Sequence, residues 1–180
     1  PPQQFVDEIA RLFVAMWARL GVEYDQFIRT TSSAHKAGVA RLIEQIFAAD
    51  ASLDEAHRNF YERSYTGLYC VGCESFKQPA DIVDGKCAVH PTRTLEEVTE
   101  HNWFFRLSAY TDRLKHLFAA NPGFLEPESR RNEILQLLEQ GLDDISASRS
   151  RFDWGVPFPR PLSNGDVQTT YVWFDALPNY

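Results

Sequence analysis

The chain has 180 residues, a formal charge of −7, and 24% of its residues are Asp, Glu, Lys or Arg. That length can bury one sizeable core, or a core plus a small module stapled by other means. The acidic balance speaks against broad nonspecific nucleic-acid binding, and no apolar run approaches the ~20 residues of a membrane span. In chain order, Phe5, Ile9, Leu12, Phe13, Met16, Trp17 and Leu20 form one stripe that predicts a helix over Gln3 to Leu20, with Gly21 as its stop. Ser32 or Ser33 caps a second helix with Val39, Leu42, Ile43, Ile46 and Phe47 on its buried face. Residues 51–62 are polar and read as a connection or short helix. Gly67, Gly72, Pro79, Gly85 and Pro91 mark the turns of a compact module over 65–93.

Beyond it, Trp103 to Leu107 reads as a short strand or extended segment. Ser108 then caps a helix carrying Leu114, Leu117 and Phe118, which ends before Asn121-Pro122-Gly123. Pro127 suits the first turn of another helix, with Ile134, Leu135, Leu138 and Leu142 on one side. Residues 161–168 are loop. Thr169 to Phe174 is the most strand-like stretch, and Asp175 begins a turn into a helix. A lone strand leaves unpaired backbone groups, so this one is expected to pair with strands outside the chain. The start on Pro1-Pro2-Gln3 and the stop at Tyr180 fit the same expectation of an interior section of a longer protein.

The chemistry-bearing pattern is Cys70-Val71-Gly72-Cys73 followed by Cys87-Ala88-Val89-His90, and the chain has no other cysteine. C-x₂-C followed by C-x₂-H predicts a tetrahedral zinc site, each short pair supplying two ligands from its own turn. Four protein ligands leave no open position for water, which makes the site structural. Three cysteines fit a disulfide framework poorly, and without secretory features a reducing cytosol is the expected compartment. The alternative is three buried or reactive thiols beside an unrelated histidine. A module this small holds little apolar core, so metal binding, about 10–16 kcal/mol in zinc-finger peptides, stands in for one. His35, His57, His101 and His116 lack metal spacing with one another, and Glu96, Glu97 and Glu100 read as a solvated face. No nucleophilic Ser/His/Asp or Cys/His arrangement is visible.

Several stretches together resemble the methionyl-tRNA synthetase family of class I enzymes. They are Tyr24 to Thr31, Gly67 to Glu74, Asp84 to His90, Trp103 to Ser108, Pro127 to Glu133, Ser146 to Arg149, Asp153 to Pro157, and Tyr171-Val172-Trp173-Phe174-Asp175-Ala176-Leu177. The likeness is collinear over nearly the whole chain. It implies part of a Rossmann-type α/β catalytic domain carrying an inserted connective-peptide domain with a zinc knuckle, this section being mostly α-helical. The implied divisions are 1–64, the helical end of the first half and lead into the insertion; 65–93, the knuckle; 94–147, the helical remainder; and 148–180, the start of the second half.

The resemblance implies that the parent protein activates methionine with ATP and Mg²⁺ and transfers it to tRNA(Met) in the cytoplasm, with no membrane partner. It implies a methionine pocket on Val172, Trp173, Ala176, Leu177 and Tyr180, and a supporting role for Arg149 through an acidic partner outside the chain. On the residues alone, Val172 and Trp173 read as ordinary core rather than a pocket, and Arg149 reads equally as a surface arginine. The family's His-Ile-Gly-His and Lys-Met-Ser-Lys-Ser signatures are absent from the chain. No catalytic residue is therefore assigned in it, and the section alone is expected to be inactive beside the missing halves of its catalytic domain. A stand-alone zinc ribbon that binds protein or RNA is the rival reading.

Overall fold

Chain contacts group residues 1–59 with 147–180 in one compact unit and residues 60–146 in another. The structure, a computed structural model, describes residues 1–73, 75–150 and 153–179.

In the first unit, helix α1 (Pro2–Arg19) starts with proline in its first turn and gives way to Gly21, whose φ of +67° supplies the left-handed stop. Its apolar stripe forms as the spacing predicts, yet Phe5, Leu12 and Leu20 stay exposed and no residue of the helix is buried. The aromatic contacts lie at its end, where Trp17 packs edge-on against Tyr24 and Phe27. Asp7 on α1 and Arg29 beyond it form an ion pair at 2.6 Å. Helix α2 (Ser33–Asp50) is capped by the Ser32 hydroxyl, which accepts from the His35 N–H at 3.2 Å. Val39 and Ile43 are fully buried one turn apart, so the predicted core face is correct. Phe47 on that face meets Phe158 edge to face, and Arg160 lies over the Phe47 ring while gripping Glu44 through two nitrogens. Val156, Phe158 and Leu162 complete the apolar interior.

The strand predicted over Thr169 to Phe174 is mostly a helix. Only Thr169–Thr170 (β8) is extended, and it pairs antiparallel with Ser148–Arg149 (β7), inside the chain rather than beyond it. Val172–Ala176 forms the short helix α5, and a turn of 3₁₀ helix follows over Leu177–Asn179. β-Propensity measures fit to a half-buried pleated surface, and here Val172 and Trp173 are turned outward instead. The Tyr171 carbonyl accepts from both the Phe174 and Asp175 N–H groups, which starts the helix.

The second unit corrects the expectation of a mostly α-helical section. Its frame is a four-stranded sheet in the order β2-β1-β5-β6, formed by Phe60–Cys70 (β1), Ser75–Phe76 (β2), Glu96–Phe105 (β5) and Ile145–Ser146 (β6). β1 and β5 pair antiparallel from Phe60↔Phe105 to Tyr69↔Glu96. Between them, β3 (Ile82–Val83) and β4 (Lys86–Cys87) make a hairpin whose Asp84-Gly85 corner has φ of 50° and 74°, the positive values a two-residue turn requires.

The sequence reading caught only the Trp103–Phe105 end of β5, because its inward face, Val98, Glu100, Asn102 and Phe104, is half polar, which erases the apolar alternation. Glu100 is buried there and accepts from Asn102 Nδ2 at 2.8 Å, so it does not belong to a solvated face with Glu96 and Glu97. Helices α3 (Thr111–Ala120) and α4 (Glu128–Gln140) follow the predicted stripes, with Leu138 fully buried. α4 stops at Gly141, φ +86°, which leaves Leu142 outside it. Ser108 does not cap α3: it sits in a 3₁₀ turn and directs both its N–H and its hydroxyl at Asp144.

Candidate functional site

β1 delivers Cys70 to the end of the sheet, where the chain turns so that the Cys73 N–H bonds the Cys70 carbonyl at 3.2 Å. β4 delivers Cys87, and the same turn recurs as the His90 N–H reaches the Cys87 carbonyl at 3.1 Å. These two tight turns bring the ligand atoms of Cys70, Cys73, Cys87 and His90 within 4.8 Å of one another. His90 presents Nδ1, at 3.1 Å from Cys73 Sγ and 3.7 Å from Cys70 Sγ, and Cys73 Sγ lies 3.5 Å from Cys87 Sγ. A tetrahedron with Zn–S of about 2.3 Å has S···S edges of about 3.7 Å, so a set gathered within 4.8 Å is close to the size that would hold a zinc ion. All three cysteines are free, and Cys70 and Cys87 are buried.

Gly72 is what permits the close approach of His90. A Cβ there would sit 2.8 Å from the ring's Cγ. Burial works against ionising Cys87, but the backbone N–H groups of His90 and Val89 and the neighbouring Cys73 and His90 side chains outweigh it and bring the thiol down to about 6. The Lys77 ammonium beside Cys73 favours that thiolate. Burial and the other two sulfurs oppose it, and the Cys73 thiol ends above its ordinary value. Lys77 holds its own proton more tightly for the same contact. Three thiolates and a neutral imidazole around a dication would leave one net negative charge, which this lysine would face.

The second group of predicted residues lies on α5 and the turn after it. Helical spacing places Val172, Trp173, Ala176 and Leu177 on one side, with Trp173 59% exposed and Val172 and Leu177 exposed to a similar degree. Tyr180 falls outside the described residues. Arg149 lies 3.9 Å over the Tyr171 ring and donates to the Ser148 carbonyl at 2.8 Å, which holds it beside the start of α5.

Two groupings were not foreseen. On the outer face of β1 and β5, Ser64 Oγ contacts His101 Nδ1, and His101 Nε2 contacts Glu62, both at 2.9 Å. This is a cross-strand polar row, visible only once the register is known. The other is His35, which projects from the buried face of α2 towards Asp175 and Asn179. Its signal in the sequence was a histidine in phase with Val39 and Ile43.

Comparison with known proteins agrees with this arrangement. The family described as tRNA synthetases class I (M) matches residues 1–180. A methionine–tRNA ligase of Nostoc is 41% identical over 99% of the chain, and one from Streptomyces coelicolor is 39% identical over the same share. A solved Mycobacterium tuberculosis methionyl-tRNA synthetase in complex with methionyl-adenylate superimposes with a TM-score of 0.81 at 35% identity, covering all of this chain and 34% of that one. The chain spans about a third of the length of these relatives: 32% for both the Nostoc and the Streptomyces proteins. Among the described residues no helix is long and apolar enough to cross a membrane. The mixed helices and strands, the Cys₃His cluster and a match running from the first residue to the last lead to one conclusion: the chain belongs to the class I tRNA synthetases of the M type.

Proposed function

We propose that this chain is a section of a cytoplasmic methionine–tRNA ligase. Residues 60–146 are read as the connective-peptide insertion with its zinc knuckle, and residues 1–59 with 147–180 as parts of the two halves of a Rossmann-type catalytic domain. The stand-alone zinc ribbon is set aside, because the family match runs through the flanking residues as well as the knuckle. The observation that carries the reading is the exposed face of α5. Trp173, Val172, Ala176 and Leu177 stand together there as an apolar surface, with Tyr180 following in sequence.

In the parent reaction a methionine carboxylate oxygen attacks the ATP α-phosphorus and pyrophosphate leaves with the electrons of the broken P–O bond. The 3′-terminal hydroxyl of tRNA(Met) then attacks the activated carbonyl and AMP departs. Among the described residues the α5 face is made by apolar side chains and Trp173, whose work is positioning. A thioether against the Trp173 ring contributes about 0.3–1.5 kcal/mol, and the aliphatic side chains exclude water around the methyl. Such a surface separates methionine from homocysteine, one methyl smaller, by only about 1–3 kcal/mol, so the complete enzyme needs a further means of rejecting homocysteine. Arg149, stacked on Tyr171, holds the entry to α5.

Cys70, Cys73, Cys87 and His90 would hold Zn²⁺, which with no open coordination position supplies folding free energy and no chemistry. ATP and Mg²⁺ would be held by the parts of the catalytic domain that carry the two absent signatures. The test is methionine-dependent ATP–pyrophosphate exchange in the complete enzyme. Trp173→Ala should raise the methionine KM by about 10- to 100-fold while the ATP KM moves little. A methionine KM that does not change sinks the reading, as does exchange activity in the isolated section.

A further inference from the structure

The inner side of α5 carries an arrangement that the pocket reading leaves unused. The same helical spacing that turns Val172 and Trp173 outward turns Asp175 inward, and Asn179 follows one turn later. Both meet His35, which arrives from the first turn of α2. The His35 and Asp175 side chains are only 5% and 9% exposed. His35 Nδ1 lies 3.1 Å from Asn179 Oδ1, a contact between residues 144 apart in sequence. Asn179 Nδ2 donates to the Ala176 carbonyl at 3.0 Å, which fixes the amide so that its oxygen faces the imidazole. Nδ1 must therefore carry the proton and donate it.

That leaves His35 Nε2 facing Asp175 Oδ1 at 3.8 Å, and among the described residues neither atom has a hydrogen-bond partner. At 3.8 Å this is longer than a hydrogen bond, so the two meet as an electrostatic contact in an apolar interior, where parting them would leave both polar atoms unsolvated. Burial raises the Asp175 carboxyl, His35 offsets this only in part, and the carboxyl ends above its ordinary value. One imidazole thus engages both inward residues of a segment only eight residues long, from Val172 to Asn179.

We propose that His35 is a positioning residue for the amino-acid substrate: through Asp175 and Asn179 it sets the rotation of α5 from behind, and so the placement of Trp173 in front. The inference rests on the methionine-pocket reading of the outer face. Rotating α5 misplaces Trp173 without touching any group that binds ATP, so the effect falls on one substrate.

The experiment uses the complete, zinc-loaded enzyme and follows ATP–pyrophosphate exchange together with Trp173 fluorescence on adding methionine. His35→Leu should raise the methionine KM about tenfold, leave the ATP KM within about twofold and shrink the fluorescence response. His35→Gln, whose amide nitrogen reaches the place of Nε2, should recover to within about threefold of the parent. Asn179→Ala removes only the Nδ1 partner and should raise the methionine KM about threefold, which keeps the inference testable if His35→Leu does not fold. It is overturned if these variants leave the methionine KM unchanged, or if methionine and ATP constants rise together. Trp173→Ala separates the two ideas. If that control raises the methionine KM while the His35 and Asn179 variants do not, only this inference fails; if the control does nothing, the pocket reading fails first.

Discussion

The two ends of the β1–β5 ribbon are held in opposite ways. At the Cys70 end the anchors are close in sequence: Cys73 and Cys87 are 14 residues apart, and Cys70 and His90 are 20. At the Phe60 end they come from far along the chain. Tyr61 donates its hydroxyl proton to Asp144 Oδ2 at 2.6 Å across 83 residues, and Asp144 Oδ1 accepts from Ser108 across 36. Arg106 lies 4.5 Å over the Tyr61 ring, Phe60 meets Phe105 edge to face, and Tyr110 stacks on Phe105. With a metal bound, the Cys70 end would need almost no core, because four strong bonds would replace one. The other end has aromatic area and a shared carboxylate, and depends on the rest of the unit being folded first.

Removing the metal should break the contrast most visibly. Chelation, or Cys87→Ser, takes away binding worth about 10–16 kcal/mol in isolated zinc modules, so amides of residues 70–93 should lose hydrogen-exchange protection while those of β5, α2 and α4 keep it. A knuckle that stays protected without stoichiometric zinc would mean that the metal end is held by packing after all.

At the other end Asp144→Ala leaves Tyr61 and Ser108 without their acceptor. A loss of about 2 kcal/mol is expected for amides at the Phe60 end of β1, read by native-state exchange. Burial pushes the Asp144 carboxyl up, but the Ser108 and Tyr61 hydrogen bonds and the Arg106 charge win and hold it below its ordinary 3.8. A depressed folded-state value stabilises at neutral pH, and that stabilisation fades as pH falls through it. The parent and Asp144→Ala proteins should therefore converge at the acid end of the titration, and a gap independent of pH would remove the carboxylate from the explanation. The smallest effect belongs to a local anchor in the other unit. Ser32→Ala should cost about 1 kcal/mol, seen as faster exchange in the first turn of α2, and a larger loss would mean that Ser32 does more than cap.

The same contrast explains what could be read beforehand. The cluster was legible because its ligands lie within 21 residues at spacings that only two tight turns satisfy. α1, α2, α3 and α4 were legible because an apolar residue every third or fourth position survives without tertiary help. Most of β5 was hidden by Glu100 and Asn102, polar residues whose burial makes sense only once they bond each other within the sheet. α5 was misread because Thr169 to Phe174 has strand-forming residues, while the choice of helix follows from seating Asp175 and Asn179 against His35. The face of α5 was named from a family likeness; the side chain behind it needed coordinates.

The ten residue pairs of the β1–β5 ribbon also make it a lever. At about 3.4 Å per residue it is a rod of roughly 30 Å, stiffened by its ladder, with the knuckle as a weight at its tip. A tilt of about 5° at the Tyr61–Asp144 pivot would carry the tip through about 3 Å, roughly the length of one hydrogen bond. The direction in which the ribbon points is therefore set at its Asp144 end, far in space from the Cys70 tip that it carries.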